Sequence, residues 1–140
     1  MKGEKGFTML EMMFSIVIMA MLAAIAVPQI ISWRTDSAVS GDARVLKADF
    51  ERARSVAIKD HDDVIIKFNG TRGYTFKDSD GKEIFTRALT GTSITDTTLT
   101  DDVTIFDSRG RADNTGYVTL SNGSRDATIN VSMIGSVRIQ

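Results

Sequence analysis

Residues 6–31 read GFTMLEMMFSIVIMAMLAAIAVPQII, and residues 12–31 carry no charged side chain. In an α-helix these ~20 residues rise by about 30 Å, which matches the hydrocarbon thickness of a bilayer. The stretch therefore predicts a helix that can span a membrane. Of the 140 residues, roughly one hundred then remain for a small globular head.

Small residues within the apolar stretch bear on signal cleavage, and charged residues on either side of it bear on membrane topology. A secretory signal is cut after its apolar region, beside small residues. Residues 27–29 (VPQ) offer no such site, and residues 24–26 (AIA) are the nearest candidate. Lys2 and Lys5 favour a cytoplasmic N-terminus with the head outside, although Arg34 on the far side weakens this asymmetry. The predicted topology is a single pass.

Glu11 does not fit a plain membrane anchor. A carboxylate costs about 2.5–3.5 kcal/mol at mid-membrane and less near the interface. Either the side chain snorkels to the headgroups, or a cation pairs with it, because a buried carboxylate is tolerated when it is paired. The sequence leaves both interpretations open at this point.

The order of glycine, phenylalanine, glutamate four residues later and then an apolar run resembles the signature of type IV prepilins. The resemblance implies that prepilin peptidase, a membrane aspartyl peptidase, cuts between Gly6 and Phe7 and methylates the new amine of Phe7. It also implies that Glu11 pairs with this amine on a neighbouring subunit during assembly. Pro28, the only proline, stands where many pilins have a helix-bending proline. Met9 replaces the commoner leucine.

Beyond the apolar stretch the pattern predicts an amphipathic helix that ends near residues 60–63. Its apolar stripe has spacings of 4, 3, 4, 3 and 4 and consists of Val39, Ala43, Leu46, Phe50, Ala53 and Ala57. We expect this stripe to pack against the sheet of its own domain. Charged residues occupy the other faces: Asp42, Arg44, Lys47, Asp49, Glu51, Arg52 and Lys59. Arg52 and Arg54 could form a basic recognition face, but because Asp49 and Glu51 are interleaved with them, a solvated surface is predicted there.

The rest of the chain alternates between β-rich runs and glycine turns. The predicted strands are residues 64–68, 73–76, 83–89, 103–106, 117–120, 127–133 and 137–139. Turns are predicted at Asn69-Gly70, Asp80-Gly81, Arg109-Gly110, Asn122-Gly123 and Gly135. Residues 90–102, rich in threonine and aspartate, are predicted to form a mobile surface loop.

These patterns together predict an α+β fold: a long N-terminal helix with an antiparallel β head. The predicted organisation is a leader (1–6), a transmembrane and assembly helix (7–31), an amphipathic helix continuing into the head (32–60) and the β head (61–140).

Three further segments resemble the GspH/FimT-type minor pseudopilin family: ARSVAIK (53–59), FDSRGRAD (106–113) and INVSMIGSVRIQ (129–140). The resemblance implies a low-abundance subunit that initiates or caps a type II secretion pseudopilus or a type IV pilus. The implied partners are prepilin peptidase, other pilin or pseudopilin subunits and, before assembly, the lipid of the bacterial inner membrane, with the head in the periplasm. The alternatives are a major pilin and a DNA-binding minor pilin.

Few residues support catalysis. Cysteine is absent and His61 is the only histidine, which excludes thiolate chemistry and a multi-histidine metal site. Residues 78–83 (DSDGKE) begin like a calcium loop but lack the later ligands of an EF-hand. No nucleophile elbow or phosphate-binding loop is visible. We therefore predict no enzymatic activity, cofactor or metal.

The sequence does not favour a nucleic-acid partner. The net charge is −1, so no general attraction to phosphates is expected. Some FimT-like subunits support DNA uptake through a C-terminal Gly-Arg-x-Arg motif, of which residues 135–138 keep only the second arginine. The candidate DNA contacts in the head are Arg109, Arg111, Arg125 and Arg138.

Overall fold

The computed structural model describes residues 7–140, apart from the side chains of residues 32 and 35. The predicted leader, with Gly6, lies outside the described residues. The helix α1 (Met9–Asp60) is followed by β1 (Val64–Phe68), β2 (Gly73–Lys77), β3 (Glu83–Ala88), β4 (Ser93–Thr97), a 3-10 turn (Thr100–Asp102), β5 (Val103–Phe106), β6 (Gly116–Ser121), β7 (Asp126–Val131) and β8 (Val137–Ile139). The chain divides into a unit that ends at Arg34 and a head, Thr35–Gln140.

Helix α1 ends at Asp60, within the range of residues 60–63 predicted for its end. His61 adopts a left-handed conformation with φ of 54°, and the Asp62 N–H donates to the carbonyl of Ala57 at 3.3 Å. This is the Schellman arrangement that closes many helices. His61 therefore serves as the reversing residue of a helix end.

The strands of the described chain, residues 7–140, form two antiparallel sheets of four strands each. The first has the order β3-β2-β1-β5 and the second the order β4-β6-β7-β8. The predicted α+β fold, a long N-terminal helix with an antiparallel β head, is confirmed.

The apolar stripe of α1 lies in the core of the head. All six of its residues are at most 3% exposed, so the prediction that the stripe packs within its own domain is confirmed. The ring of Phe50 makes edge contacts with Phe68 of β1 and Phe106 of β5, at centroid distances of 6.2 and 6.3 Å. The second sheet contributes Val118, Leu120 and Ile129, each 0% exposed.

The predicted loop at residues 90–102 was wrong. Residues 93–97 form β4, which pairs with β6 at the edge of the second sheet, and a 3-10 turn follows. Ile94 and Leu99 are buried, so two apolar side chains attach this polar segment to the core. An edge strand with one covered face needs few apolar residues. The pattern of β4 therefore resembles that of a polar loop, although its threonines suit a strand. The predicted strand 127–133 was also too long, because β7 ends at Val131 rather than Met133.

Three chain reversals, at residues 78–82, 107–111 and 132–136, share one hydrogen-bonding pattern. In each, the N–H of the fourth residue donates to the carbonyl of the first residue. The N–H of the first residue donates to the carbonyl of the fifth. The fourth residue is always glycine with positive φ: Gly81, Gly110 and Gly135 at 80°, 75° and 75°. This is the three-residue hairpin loop with a glycine bulge. Positive φ at all five predicted turn glycines, these three with Gly70 and Gly123, confirms the predicted turns.

Candidate functional site

The start of α1 is fixed by a side-chain cap. The Glu11 N–H donates to the Thr8 hydroxyl at 3.2 Å, and the Met12 N–H donates to the Thr8 carbonyl at 3.2 Å. Thr8 is thus the N-cap, and Glu11 occupies the third helical position, as in a T-x-x-E capping box. The cap was not predicted from the sequence, although the three-residue spacing of Thr8 and Glu11 indicates it.

The location of Glu11 favours a negative charge. It lies in the first turn of α1, where the unpaired backbone N–H groups and the helix dipole favour an anion. Its side chain is exposed, and the new amine that cleavage after Gly6 would create lies four residues away in sequence. Glu11 is available to a cation from another chain.

Residues 7–31 are all exposed, and most of their surface is apolar. Phe7, Met9 and Ile31 are 78%, 88% and 59% exposed. Within the described residues, α1 is the one helix long and apolar enough to cross a membrane. An apolar surface of this extent is stable only against lipid or against other apolar helices.

Pro28 lies inside α1, as the sequence indicated. Its ring nitrogen has no hydrogen to donate to the carbonyl of Ala24, so this turn of the helix has one bond fewer. The helix bend attributed to Pro28 stays a prediction.

A buried polar cluster joins α1 to the first sheet. The Tyr74 hydroxyl donates to Asp49 Oδ2 at 2.8 Å, and Arg87 donates from Nε to Oδ2 at 2.6 Å and from Nη2 to Oδ1 at 3.3 Å. Burial, together with the hydrogen bond and charge of Asp49, raises the pKa of Tyr74 far above its usual range. The same carboxylate raises the pKa of Arg87. The cluster holds one negative and one positive charge beside a neutral phenol.

The prediction that Asp49 lies on a solvated face was wrong. Asp49 is 6% exposed, because β2 and β3 cover its side of the helix and supply two donors. Arg54 departs from the same prediction, since its Nε is buried without a hydrogen-bond partner. Arg52 remains exposed, over the ring of Phe85 at 5.4 Å.

The four candidate DNA-contacting arginines do not form one cluster. Arg109 and Arg111 lie in the 107–111 turn. The next residue, Ala112, donates its N–H to the Met133 carbonyl of the 132–136 turn at 3.1 Å. Arg125 precedes β7, whereas the 132–136 turn follows that strand; six residues of strand separate them by about 20 Å. Arg138 lies in β8, opposite Asn130.

Arg111 is also partly neutralised. Its Nε and Nη2 each lie 2.9 Å from Asp107 Oδ2. Hydrogen bonds from the backbone and side chain of Arg111 lower the pKa of Asp107, which keeps this carboxylate charged. Arg111 is thereby less available to a phosphate.

We expect the head to bind DNA only in the non-specific range, with a Kd of about 10⁻⁴–10⁻⁶ M or weaker at physiological salt. So few phosphate contacts should give a slope of log K against log salt shallower than about −2. Fluorescence anisotropy across a salt series measures both. Sub-micromolar binding that Arg109→Ala or Arg138→Ala abolishes, while Arg125→Ala at the other end of β7 does not, would contradict this expectation.

No metal site emerges from the part of the chain that the structure describes: no three His, Asp or Glu side chains there are grouped to hold an ion. The calcium-like residues 78–82 instead form one of the shared turns, with the Lys82 N–H donating to Asp78 Oδ1 at 2.8 Å.

Comparison with known proteins gives two family matches. The prokaryotic N-terminal methylation motif matches residues 1–27, and the type II transport protein GspH matches residues 42–135. A search of curated protein sequences found no match.

Solved structures share the fold. The minor pseudopilin EpsH from the type 2 secretion system of Vibrio cholerae has a TM-score of 0.60 at 14% identity, over 73% of this chain and 95% of that one. The type IV minor pilin FimU of Pseudomonas aeruginosa has a TM-score of 0.58 at 12% identity, over 72% and 91%. At these identities the likeness shows the fold alone.

The two family matches together cover most of the apolar N-terminal stretch and most of the head. The methylation motif implies processing by prepilin peptidase and assembly with other subunits, and proteins of this kind are structural subunits rather than enzymes. Because the GspH match extends over more than half of the chain, this protein belongs to the GspH family and is a minor pilin or pseudopilin of a type IV pilus or a type II secretion system.

Proposed function

We propose that prepilin peptidase cleaves this chain between Gly6 and Phe7 and methylates the amine of Phe7. The mature subunit then passes from the bacterial inner membrane into the filament. The observation that carries this proposal is the exposed, largely apolar surface of residues 7–31, which follow the predicted cleavage site directly in sequence. Such a surface suits lipid before assembly and neighbouring helices afterwards.

Glu11 is the proposed assembly residue. The Thr8 cap sets Glu11 in the first turn of α1, where its exposed carboxylate can meet the Phe7 amine of a neighbour. A partner charge is needed there because the surrounding helices exclude water, and a buried charge without its partner costs about 3–5 kcal/mol. In this proposal residues 7–31 form the single membrane pass, the head lies in the periplasm, and the subunit acts at initiation or at the filament tip.

Processing is the direct test. In cells that contain the peptidase, intact-mass analysis should give a chain that begins with methylated Phe7. Gly6→Leu should block cleavage, because a side chain would fill the space where the peptidase approaches the backbone, whereas Gly3→Leu in the same leader should be cleaved. An intact Met1 terminus, or a terminus near Ala26, in the unmodified chain would refute the proposal.

A further inference from the structure

The 132–136 turn presents two apolar side chains to solvent. Met133 and Ile134 are 67% and 71% exposed. Every other exposed large apolar side chain in the described head is between 37% and 45% exposed: Val45, Ile58, Ile84 and Ile139. Together, Met133 and Ile134 are the most prominent apolar feature of the described head.

The conformation of the turn does not require these residues. The two other turns with the same hydrogen bonds have Ser79-Asp80 and Ser108-Arg109 at the corresponding central positions. Polar side chains are the ordinary choice for an exposed hairpin loop. The apolar pair therefore has a reason outside the turn itself.

The turn is held in place by the head beneath it. Gly135 packs so closely on Gly110 that a Cβ there would lie 2.0 Å from the Gly110 carbonyl oxygen, and both glycines lie over Arg54. The Ser136 N–H donates to the Ser132 hydroxyl at 3.2 Å. Because folding already orders the turn, binding through it costs little further conformational entropy.

A groove with a volume of ≈600 Å³ adjoins the turn. Met133, Ile134, Ile105 and Ala112 give it apolar walls. Its charged lining consists of three carboxylates and one guanidinium: Asp63, Asp107, Asp113 and Arg111. Arg111 already pairs with Asp107, so Asp63 and Asp113 leave the groove negative.

We infer that this turn and groove form a docking site for the head of another pilin-type subunit, which inserts an apolar side chain flanked by lysine or arginine. Apolar contact supplies the attraction, and the complementary charge selects the partner. The negative lining disfavours nucleic acid and anionic lipid as occupants. This inference rests on the proposed function and adds the surface and chemistry of the contact.

Cross-linking in cells that assemble the filament identifies the occupant. A photoreactive benzoylphenylalanine at position 134 of the full-length chain should yield an adduct with another pilin-type subunit. The same group at position 80, the equivalent place in the 78–82 turn, should not. Absence of an adduct at 134, equal adducts at both positions, or an adduct with DNA or lipid instead of a subunit would overturn the inference.

A variant pair tests the contribution of the apolar side chains. Met133→Ser with Ile134→Asp gives this turn the central residues of the 78–82 turn, so the head should fold with an unchanged thermal transition. Incorporation into filaments should fall about tenfold or more, as expected when an interface anchor is lost. The control, Ser79→Ala with Asp80→Ala, should incorporate normally.

Charge reversal tests the selection of the partner. Asp63→Lys with Asp113→Lys should also lower incorporation, while cleavage before Phe7 and the membrane level stay normal. If the unmodified chain is not cleaved, the proposed function fails. If it is cleaved and the apolar and charge variants both incorporate normally, this inference alone fails.

Discussion

Asp49→Ala is expected to destabilise the head by roughly 2–4 kcal/mol. The substitution leaves the buried Tyr74 hydroxyl without its acceptor and Arg87 without its counter-charge. The Arg87 side chain is 36% exposed, so water compensates for part of the loss. Since a small domain has only about 5–15 kcal/mol of stability, this single change consumes much of it.

Urea unfolding of a chain that starts at Thr35 measures the effect. The matched control is Asp96→Ala, because the Tyr117 hydroxyl donates to Asp96 Oδ2 at 3.0 Å on the surface. This exposed pair should contribute less than about 1 kcal/mol. Equal destabilisation by the two variants would show that burial does not set the strength of the Asp49 cluster.

The Tyr74 hydroxyl adds a pH dependence to the same measurement. Its pKa is raised in the folded head from the usual 10.0, so the folded state retains this proton where the unfolded state loses it. The contribution of this proton to the free energy of unfolding is complete below pH 10. It declines as the pH rises above 10, by up to about 1.4 kcal/mol per pH unit. Tyr74→Phe should remove this part of the alkaline decline.

Glu11→Gln is expected to leave cleavage and membrane insertion intact and to reduce filament incorporation by about tenfold or more. Removing one partner of a buried charge pair costs about 3–5 kcal/mol, and partial solvation near the interface lowers this value. Even ~1.4 kcal/mol changes an equilibrium tenfold. The measurement is the amount of cleaved protein in membrane and in sheared filament fractions.

Thr8→Ala separates assembly from the local helix end. It removes the cap that Thr8 provides to the Glu11 N–H but retains the carboxylate. Loss of a cap costs about 0.5–2 kcal/mol within α1 and removes no charge from the interface. Normal incorporation of Glu11→Gln would refute charge pairing. Equal losses in Thr8→Ala and Glu11→Gln would instead assign Glu11 to the helix end.

The sequence predicted those features that local chemistry determines. The stripe from Val39 to Ala57 follows helical spacing, and the positions of the turns follow the glycines that adopt positive φ. Residues 53–59, 106–113 and 129–140 carried the family resemblance. These signals require no knowledge of which strands become neighbours.

The missed features all depend on long-range pairing. Strand β4 is recognisable only beside β6, which covers one of its edges. Asp49 was assigned to solvent because its two donors are 25 and 38 residues away in sequence. The predicted strand continued to Met133 because an apolar residue after a strand usually belongs to it. In the structure β7 ends at Val131, and the 132–136 turn reverses the chain.

The position of the apolar stripe at the beginning of the head has a consequence for biogenesis. The part of helix α1 that lies in the head is synthesised before the strands. Its Asp49 accepts a hydrogen bond from Arg87, which follows 38 residues later, and its Asp42 accepts one from Thr92, which follows 50 residues later. The second sheet is completed by its edge strand β8, near the end of the described chain. Contacts of such separation form slowly, because long loops must close before any burial is gained. The stripe therefore cannot be fully covered until the second sheet has been synthesised, and until then the emerging chain is exposed to aggregation and proteolysis.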